Sequence, residues 1–454
     1  MTLRQSADRT ALAMSPRKSL FRALYKLHVY LGIFVAVHFA VFALTGLVLL
    51  FKDELQGETK DSVVLADKGE VANAYASILK EIQKEYPNDR VLALFPDDTN
   101  ANIINARVGI DGATKLRGAR RLSFNLNKTV SASDTPPSEA ARSEKFFEWL
   151  LALHRELFLG STGKIYVGIV GLAYVFMLIS GFFIYGNFMK GRSFGEIRSG
   201  GIFQLTDLHK FVGMLSFGWG LIVGISGVFL AFNGLLIKLF LYGSLAHLSD
   251  QYQNHRAEAV ADAPFLEVVA SALEAKEDAV ISYISFPDTE FGIPGHYLFL
   301  VNGTDRFSER LSDLLVVNAK TAALTEIVEL PLYLKLVLLS EPLHFGDYGG
   351  IYLKIIWAVF TLCSFAVAAL GLVSFFLKRK KRRASEQKTE NRKWRKLELP
   401  VSLPGYGAPV FFGVFSLTGI IGALFAEGAL AKAALGILLV PFIVLFLIRR
   451  QGNV

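Results

Sequence analysis

The chain has 454 residues, of which 52% are hydrophobic and 19% charged, with a net charge of +8. This composition excludes an ordinary soluble multidomain protein, because the apolar residues form runs of about 20, which is long enough to cross a bilayer as helices. The single cysteine, Cys363, excludes an internal disulfide framework.

Six hydrophobic runs are predicted to span a membrane. They cover residues 28–51, 164–188, 210–237, 352–377, 408–426 and 430–448. The first run follows basic residues, as the core of a signal peptide would, but it is too long and lacks a small-residue cleavage pattern. We therefore expect a retained first helix. Only four residues separate the last two runs, which predicts a hairpin.

Lysine and arginine are concentrated in the segments that six spans place on one side of the membrane. These are residues 1–27, the loop 189–209, the linker 378–407 and the C-terminal end. An excess of basic residues marks the cytoplasmic side of an inner membrane, so both termini are predicted to be cytoplasmic. The basic linker is interpreted as a solvated segment near anionic lipid, and not as a nucleic-acid site.

Two long segments, 52–163 and 238–351, fall on the opposite, periplasmic side. Each opens with a helical pattern and continues in short alternating runs bounded by Gly, Pro, Asn or Asp, which indicate strands. The helical patterns are 69–86 and 262–276. The strand patterns are RVLALFP, ANIINARVG and RLSFNLN in the first segment, and AVISYISFP, HYLFLVNG and LLVVNAKTAAL in the second. Each segment is therefore predicted to form a small α+β domain.

The spans themselves repeat. Span one aligns with span three without gaps, so that His28 matches His209 and Thr45-Gly46 matches Ser226-Gly227. Span two carries Ser180-Gly181, and span four carries Leu370-Gly371. One unit thus occurs twice in the chain: a helix, an extramembrane domain, a histidine-bearing turn and a second helix. This repeat predicts a four-helix core with a pseudo-two-fold axis along the membrane normal.

Four histidines precede spans at matching points of this repeat. His28 and His209 lie at the cytoplasmic ends of their spans, and His154 and His344 lie at the periplasmic entrances of theirs. Histidine is costly in a membrane and usually marks a functional site there. Two symmetry-matched pairs predict two haems b, each with two histidine axial ligands, which is an arrangement suited to electron transfer. No C-x-x-C-H motif is present, so the haems would be bound non-covalently.

His38 is a fifth candidate ligand, about 15 Å deeper along the first helix than His28. It has no histidine counterpart, because Trp219 occupies the corresponding region of span three. Four roles are open for His38. It could replace His154 or His344 as a ligand, form a hydrogen bond to a haem propionate, relay protons, or form a hydrogen bond between helices. The histidines without a repeated context, His247, His255 and His296, are interpreted as ordinary domain positions.

No phosphate-binding or dinucleotide-binding glycine motif occurs, so the chain has no evident nucleotide or flavin domain. A separate electron donor is therefore expected, such as a quinol or a cytoplasmic reductase.

The segments KLHVYLGIFVAVHFAVFALTGLVLLFKDEL, LHRELFLGSTGKIYVGIVG, DLHKFVGML and PLHFGDYGG together resemble the PepSY-associated transmembrane family, over about residues 18–380. The resemblance implies PepSY-like folds for the two periplasmic domains. It also implies a place among inner-membrane reductases that bind two b-type haems and reduce ferric siderophores. The implied ligands are to be sought among His28, His38, His154, His209 and His344.

Two other functions remain open. A PepSY membrane protein could bind a periplasmic partner without catalysis, and its histidines would then be structural. Alternatively, a transporter of ferric siderophore or haem could use the repeat for alternating access, although the spans contain few polar or acidic residues near the midplane.

Overall fold

The computed structural model describes residues 16–56, 67–97, 102–125, 140–189, 192, 194–253, 262–276, 279–304, 311–384, 407–425, 428–438 and 443. The helices are α1 Pro16–Leu50, α2 Lys52–Gln56, α3 Lys68–Glu85, α4 Ala140–Glu156, α5 Gly160–Phe188, α6 Gly201–Leu215, α7 Phe217–Phe240, α8 Ala246–Gln251, α9 Phe265–Glu274, α10 Leu332–Phe345, α11 Gly350–Ala384, α12 Gly407–Phe425 and α13 Gly428–Leu438. The strands are β1 Arg90–Pro96, β2 Ile103–Gly109, β3 Arg120–Asn125, β4 Val280–Ser285, β5 His296–Asn302, β6 Ser312–Asn318 and β7 Leu324–Val328.

Four of the described helical segments are long and apolar enough to cross a membrane: Ser19–Leu50, Gly160–Phe188, Phe217–Gln251 and Gly350–Lys381. They correspond to the first four predicted spans and pack as a bundle in which α5 contacts α1 and α7, and α11 contacts α1. Large apolar side chains cover the outside of this bundle. Phe183, for example, is 56% exposed, as expected for a surface that faces lipid.

The predicted count of six spans is not settled by the described residues. Helices α12 and α13 pack against each other, and a side chain at Gly422 would touch Ala434. This packing agrees with the predicted hairpin, but most of the segment 439–454 lies outside the described residues.

The extramembrane segments form one sheet, whereas the sequence predicted two separate α+β domains. Its seven strands run antiparallel in the order β3-β2-β1-β4-β5-β6-β7. The two halves join where β1 pairs with β4, through Ala93 opposite Ser285 and Leu94 opposite Ile284. Pairing these two strands satisfies backbone groups that each half alone would leave on an open edge.

The two faces of the sheet are covered differently. Helices α3 and α9 lie on one face, where Ile78, Phe124 and Phe299 are almost fully buried. On the other face, Leu298 packs in a cluster with Phe240 of α7 and Leu334 of α10. The sheet therefore sits on one end of the helical bundle, which we call the sheet side, and we call the other end the opposite side.

Three local features differ from the sequence prediction. His154 and His344 lie on helices, α4 and α10, and not on turns. Span three does not begin at residue 210, because the chain leaves helical geometry at Ser216 and divides α6 from α7. Its helix also extends past residue 237, since a π-helical turn continues α7 into α8. Finally, β7 forms a strand of its own beyond the last predicted strand segment.

Candidate histidine site

The four repeated histidines meet in two pairs. On the sheet side, the ring centroids of His154 and His344 are 6.3 Å apart, with an angle of 63° between the ring planes. On the opposite side, His28 and His209 are close enough to interact electrostatically. The structure therefore brings together the two pairs that the repeat predicted.

The histidine rings of the opposite-side pair are each seated on a neighbouring helix. His28 Nδ1 donates to the carbonyl of Met177 on α5 (3.1 Å). His209 Nδ1 donates to the carbonyl of Val367 on α11 (2.8 Å). His28 Nδ1 also lies 3.1 Å from Ser180 Oγ. Both imidazoles thus have Nδ1 engaged by the helix behind them.

The sheet-side pair is seated in the same way. His344 Nδ1 donates to the carbonyl of Val223 on α7 (3.0 Å). His154 Nδ1 donates to Thr45 Oγ1 on α1 (2.8 Å), and the carbonyl of Phe42 provides a further hydrogen-bond acceptor for this histidine. Thr45 Oγ1 is the acceptor in this bond because its own hydrogen goes to the carbonyl of Val41 (2.8 Å).

A glycine stands under each ring, one helical turn after the acceptor carbonyl. A Cβ built on each of these glycines would lie 2.9–3.1 Å from Cε1 of its histidine, closer than ordinary van der Waals contact. The pairs are Gly181 with His28, Gly371 with His209, Gly46 with His154, and Gly227 with His344. The glycine of each Ser/Thr-Gly or Leu-Gly dipeptide in the spans therefore leaves room for an imidazole, because it has no side chain. We call each of these four glycine positions, together with the helix backbone around it, a seat.

The seating is reciprocal within each half of the repeat. His28 of α1 rests on α5, while His154, which precedes α5 in the chain, rests on α1. In the second half, His209 rests on α11, while His344, which precedes α11, rests on α7. In each half, one histidine packs on the partner helix near each end of the bundle. The two halves together therefore place one histidine from each repeat at each end.

The two pairs are well separated along the bundle. On α1, the seat of His154 at Thr45 lies 17 residues beyond His28, a rise of about 25 Å at 1.5 Å per residue. This distance is close to the thickness of the hydrocarbon core, about 30 Å. One pair therefore lies near each face of the membrane.

The donor set fits an iron ion held between two imidazoles. Metal-binding histidines commonly donate one ring N–H to a carbonyl, which fixes the tautomer and leaves the lone pair of the other nitrogen for the metal. Here Nδ1 makes that bond in each ring, so Nε2 is the nitrogen that could bind iron. The expected separation of the two ring centroids is the sum of two metal–nitrogen bonds of about 2 Å each and the two distances from Nε2 to the centroid of its ring. This sum is roughly the 6.3 Å found between the centroids of His154 and His344.

The sheet-side histidines lie on α4 and α10, outside the spanning segments, and are held neutral. Desolvation lowers the pKa of His154 to about 3, and the proximity of His344 contributes in the same direction. Desolvation also lowers the pKa of His344. Only a neutral imidazole has a lone pair for a metal, so both rings are in the form that coordination requires.

His38 does not join either pair. Its Nδ1 donates to the carbonyl of Phe34 one turn earlier on its own helix (2.8 Å), and its Nε2 lies 2.7 Å from the hydroxyl of Tyr166 on α5. Both ring nitrogens are thus engaged. Among the alternatives left open by the sequence, this geometry corresponds to a hydrogen bond between helices.

A cluster of buried aromatic side chains lies where α7 and α11 pack with α12 and α13. Trp219 stacks on Phe360, with centroids 5.8 Å apart, and meets Trp357 edge-on at 6.4 Å. Trp219 and Trp357 are 3% and 2% exposed, and their indole nitrogens find no hydrogen-bond partner among the described residues. The same cluster contains Ile420 of α12 and Ala434 of α13, so the two C-terminal helices pack against the bundle at this point.

A buried carboxylate lies beside the opposite-side pair. Asp207 is 2% exposed and accepts hydrogen bonds from Arg192, Arg198 and Lys210. Desolvation raises its pKa, but the bonds from Arg198, Arg192 and Lys210 outweigh this effect, so the pKa of the carboxyl lies below its usual range. Arg192 also pairs with Glu196 (3.7 Å), so three cations and two carboxylates leave a surplus of one positive charge next to His209.

The remaining histidines have other surroundings. His296 is 1% exposed and is held by the carbonyl of Pro294 and the side chain of Asn318, so it is a structural residue of the sheet. His247 is exposed on α8, and His255 lies outside the described residues.

Sequence reasoning missed the helix that carries each sheet-side histidine and the carbonyl that orients each ring. The carbonyls belong to Met177, Val367, Phe42 and Val223, whose side chains carry no signal of that role. The sequence signal for these sites is the glycine that recurs in all four spans, in Thr45-Gly46, Ser180-Gly181, Ser226-Gly227 and Leu370-Gly371.

None of the curated proteins matches the chain. The family model described as the PepSY-associated TM region matches residues 25–379, a range that includes all four seated histidines and the whole sheet. The chain therefore belongs to the family of PepSY-associated transmembrane proteins.

Proposed function

We propose that this membrane protein is a di-haem b-type cytochrome of the bacterial inner membrane that passes electrons to the periplasm and reduces ferric siderophores. The observation that carries the proposal is the matched seating of four histidines in two pairs, each with Nδ1 bonded behind it and Nε2 left for iron. The resemblance to di-haem siderophore reductases noted in the sequence supplies the substrate class.

In this proposal, His28 and His209 hold the haem near the cytoplasm, and His154 and His344 hold the haem near the periplasm. Each haem iron supplies a one-electron redox centre when bound. The protein holds the two centres at fixed depths through the glycine seats, and the carbonyl bonds keep each imidazole in one tautomer.

The electron balance requires a donor outside this chain, either a quinol or a cytoplasmic reductase. A quinol would release two electrons and two protons. Each electron would convert one siderophore-bound Fe(III) to Fe(II), which hard oxygen ligands hold less tightly than Fe(III). The surplus positive charge around Asp207 lies on the side where that donor would arrive.

An absorption spectrum tests the cofactor. Full-length protein, purified in detergent after expression with a haem supply, should show a reduced b-type α band on addition of dithionite and about two haems per chain. His28→Ala and His344→Ala should each remove one haem and leave the other. His247→Ala, which changes an exposed histidine outside both pairs, should keep two.

A colourless protein, or one whose haem content is unchanged by both pair substitutions, would refute the proposal. The first result would favour a non-catalytic partner-binding protein. If the haems are present, mixing the reduced protein anaerobically with a ferric siderophore tests the reaction. Oxidation of the haems together with release of Fe(II) to a ferrous chelator is the expected result.

A further inference from the structure

An open cavity of about 590 Å³ lies against the first half of the sheet. Its volume falls within the range of small-molecule sites, about 300–1,000 Å³. Its walls combine three arginines, Arg107, Arg117 and Arg121, with two aromatic rings, Phe95 and Tyr283.

The strand register places this cavity on the face of the sheet that meets the bundle. Arg107 of β2 is opposite Ala93 of β1, and Ala93 is opposite Ser285 of β4. Ser285 is in turn opposite Leu298 of β5, so all four share one face. Because Leu298 packs with Leu334 of α10, the cavity opens on the face that contacts the helix carrying His344.

The positive charge of the cavity is poorly compensated by the side chains that the structure describes. Arg107 and Arg121 are directly opposite each other on neighbouring strands, a pairing of like charges that destabilises a sheet. Within the described ranges, neither arginine nor Arg117 forms an ion pair with a carboxylate. Desolvation lowers the pKa of Arg107, and the charge of Arg121 lowers it further.

The carboxylates near the cavity wall are already engaged. Glu290 accepts the backbone N–H of Leu116 (3.2 Å), and Asp97 accepts the side-chain amide of Asn105 (3.1 Å). They moderate the positive field near the cavity, but within the described residues neither forms an ion pair with Arg107, Arg117 or Arg121. An anionic ligand would do so.

The aromatic walls add a requirement for shape. The rings of Phe95 and Tyr283 stack with centroids 5.8 Å apart and an interplanar angle of 21°, and the Arg107 guanidinium lies 6.0 Å from the Phe95 centroid. Flat ligands with an aromatic ring gain both stacking and cation–π contacts on such a surface.

We propose that this cavity binds ferric complexes that carry net negative charge and flat oxygen-donor rings, in particular tris-catecholates, in preference to neutral trihydroxamate complexes. The proposal rests on the proposed function, since it names the substrate class of the same reductase. Guanidinium groups bind oxyanions through paired N–H donors, and neutral hydroxamates offer no matching charge.

A binding experiment with a redox-inert metal tests this. Gallium(III) has the charge of ferric iron but is not reduced, so titration of full-length protein in nanodiscs with a gallium(III) tris-catecholate measures binding alone. Isothermal calorimetry should show binding that weakens with added salt, whereas a neutral gallium(III) trihydroxamate should bind at least about tenfold more weakly. Arg107→Gln and Arg121→Gln should each lower the affinity for the tris-catecholate by about tenfold or more.

Arg120→Gln is the matched control. Arg120 is the neighbour of Arg121 on β3 but is opposite Val108, whose side chain belongs to the other face of the sheet, and it pairs with Asp89 and lies over Tyr86. This control should bind the tris-catecholate like the unchanged protein.

Equal affinity for the two gallium complexes, or no loss on substituting Arg107 and Arg121, would overturn the proposal. Nanodiscs with and without anionic phosphatidylglycerol form a further arm. If this lipid competes with the gallium complex through the same arginines, the cavity is a lipid headgroup site and the proposal fails. Binding of the gallium complex does not depend on haem. A protein that reduces ferric siderophores but does not bind the gallium(III) tris-catecholate therefore refutes this inference alone. A colourless protein that binds the gallium(III) tris-catecholate refutes only the proposed function.

Discussion

Alanine in place of the seat glycines should displace one haem at a time. A Cβ at Gly227 would stand 2.9 Å from Cε1 of His344, whereas ordinary van der Waals contact begins near 3.4 Å. The imidazole would therefore have to move by about 0.5 Å away from this glycine, which would shift it from the position in which it would bind the proposed haem iron. Metal–nitrogen bonds tolerate errors of only about 0.2 Å, so the ring cannot take up this shift without loss of ligation or strain.

The size of the effect follows from overpacking. Forcing extra atoms into a packed site typically costs about 1–3 kcal/mol, which corresponds to haem affinity weakened by roughly fivefold to 150-fold. Gly227→Ala should act on the sheet-side haem. Gly371→Ala, whose Cβ would lie 3.1 Å from Cε1 of His209, should act on the opposite-side haem.

The assay is haem content per chain, measured as the pyridine haemochrome after purification, together with a redox titration of what remains. The matched controls are Gly32→Ala and Gly213→Ala, where a Cβ would meet its nearest neighbour at 3.5 and 3.7 Å, an ordinary contact. All four changes raise helix propensity, so haem loss confined to the seat variants cannot be attributed to a weaker helix. Haem content and potentials in Gly227→Ala that match those of Gly213→Ala would show that the seats do not position the ligands.

Three further results are expected. His38→Ala should retain both haems, because the two ring nitrogens of His38 are bonded to the hydroxyl of Tyr166 and to the carbonyl of Phe34 on its own helix. Loss of one haem in this variant would show that His38 is a ligand. Thr45→Val removes an acceptor behind His154, which makes the imidazole a weaker donor, so a redox titration should show a higher potential for the sheet-side haem and an unchanged one for the other. Asp207→Asn should lower the free energy of unfolding by about 3 kcal/mol, measured by chemical denaturation in detergent, since it removes the buried carboxylate that Arg192, Arg198 and Lys210 share. The pKa of this carboxyl is lower in the folded protein than in the unfolded chain. Its contribution to stability is therefore complete above the unfolded pKa of about 3.9 and is lost as the pH falls toward the folded pKa. An Asn variant as stable as the parent at about pH 7 would contradict this assignment.

The spans and strands could be predicted from the sequence because each is a local pattern. A run of about 20 apolar residues and a period-two alternation both act within one element, and β1 was predicted with the bounds that it has in the structure. The duplication was also readable, since two copies of one unit show directly in the order of their residues. This is why the sequence alone matches His28 with His209, and His154 with His344.

Only the tertiary structure decided what depends on elements distant in the chain. Joining two α+β segments into one sheet required β1 to meet β4, a contact between residues almost two hundred positions apart, and no local pattern specifies it. The backbone carbonyls that orient the imidazoles belong to residues of no distinctive type, so they become visible only once the helices are packed. The sequence by itself determined four histidines in two equivalent pairs. The packing decided that glycine seats hold them, that His38 stands apart, and that an arginine-lined cavity opens on the sheet face toward the bundle.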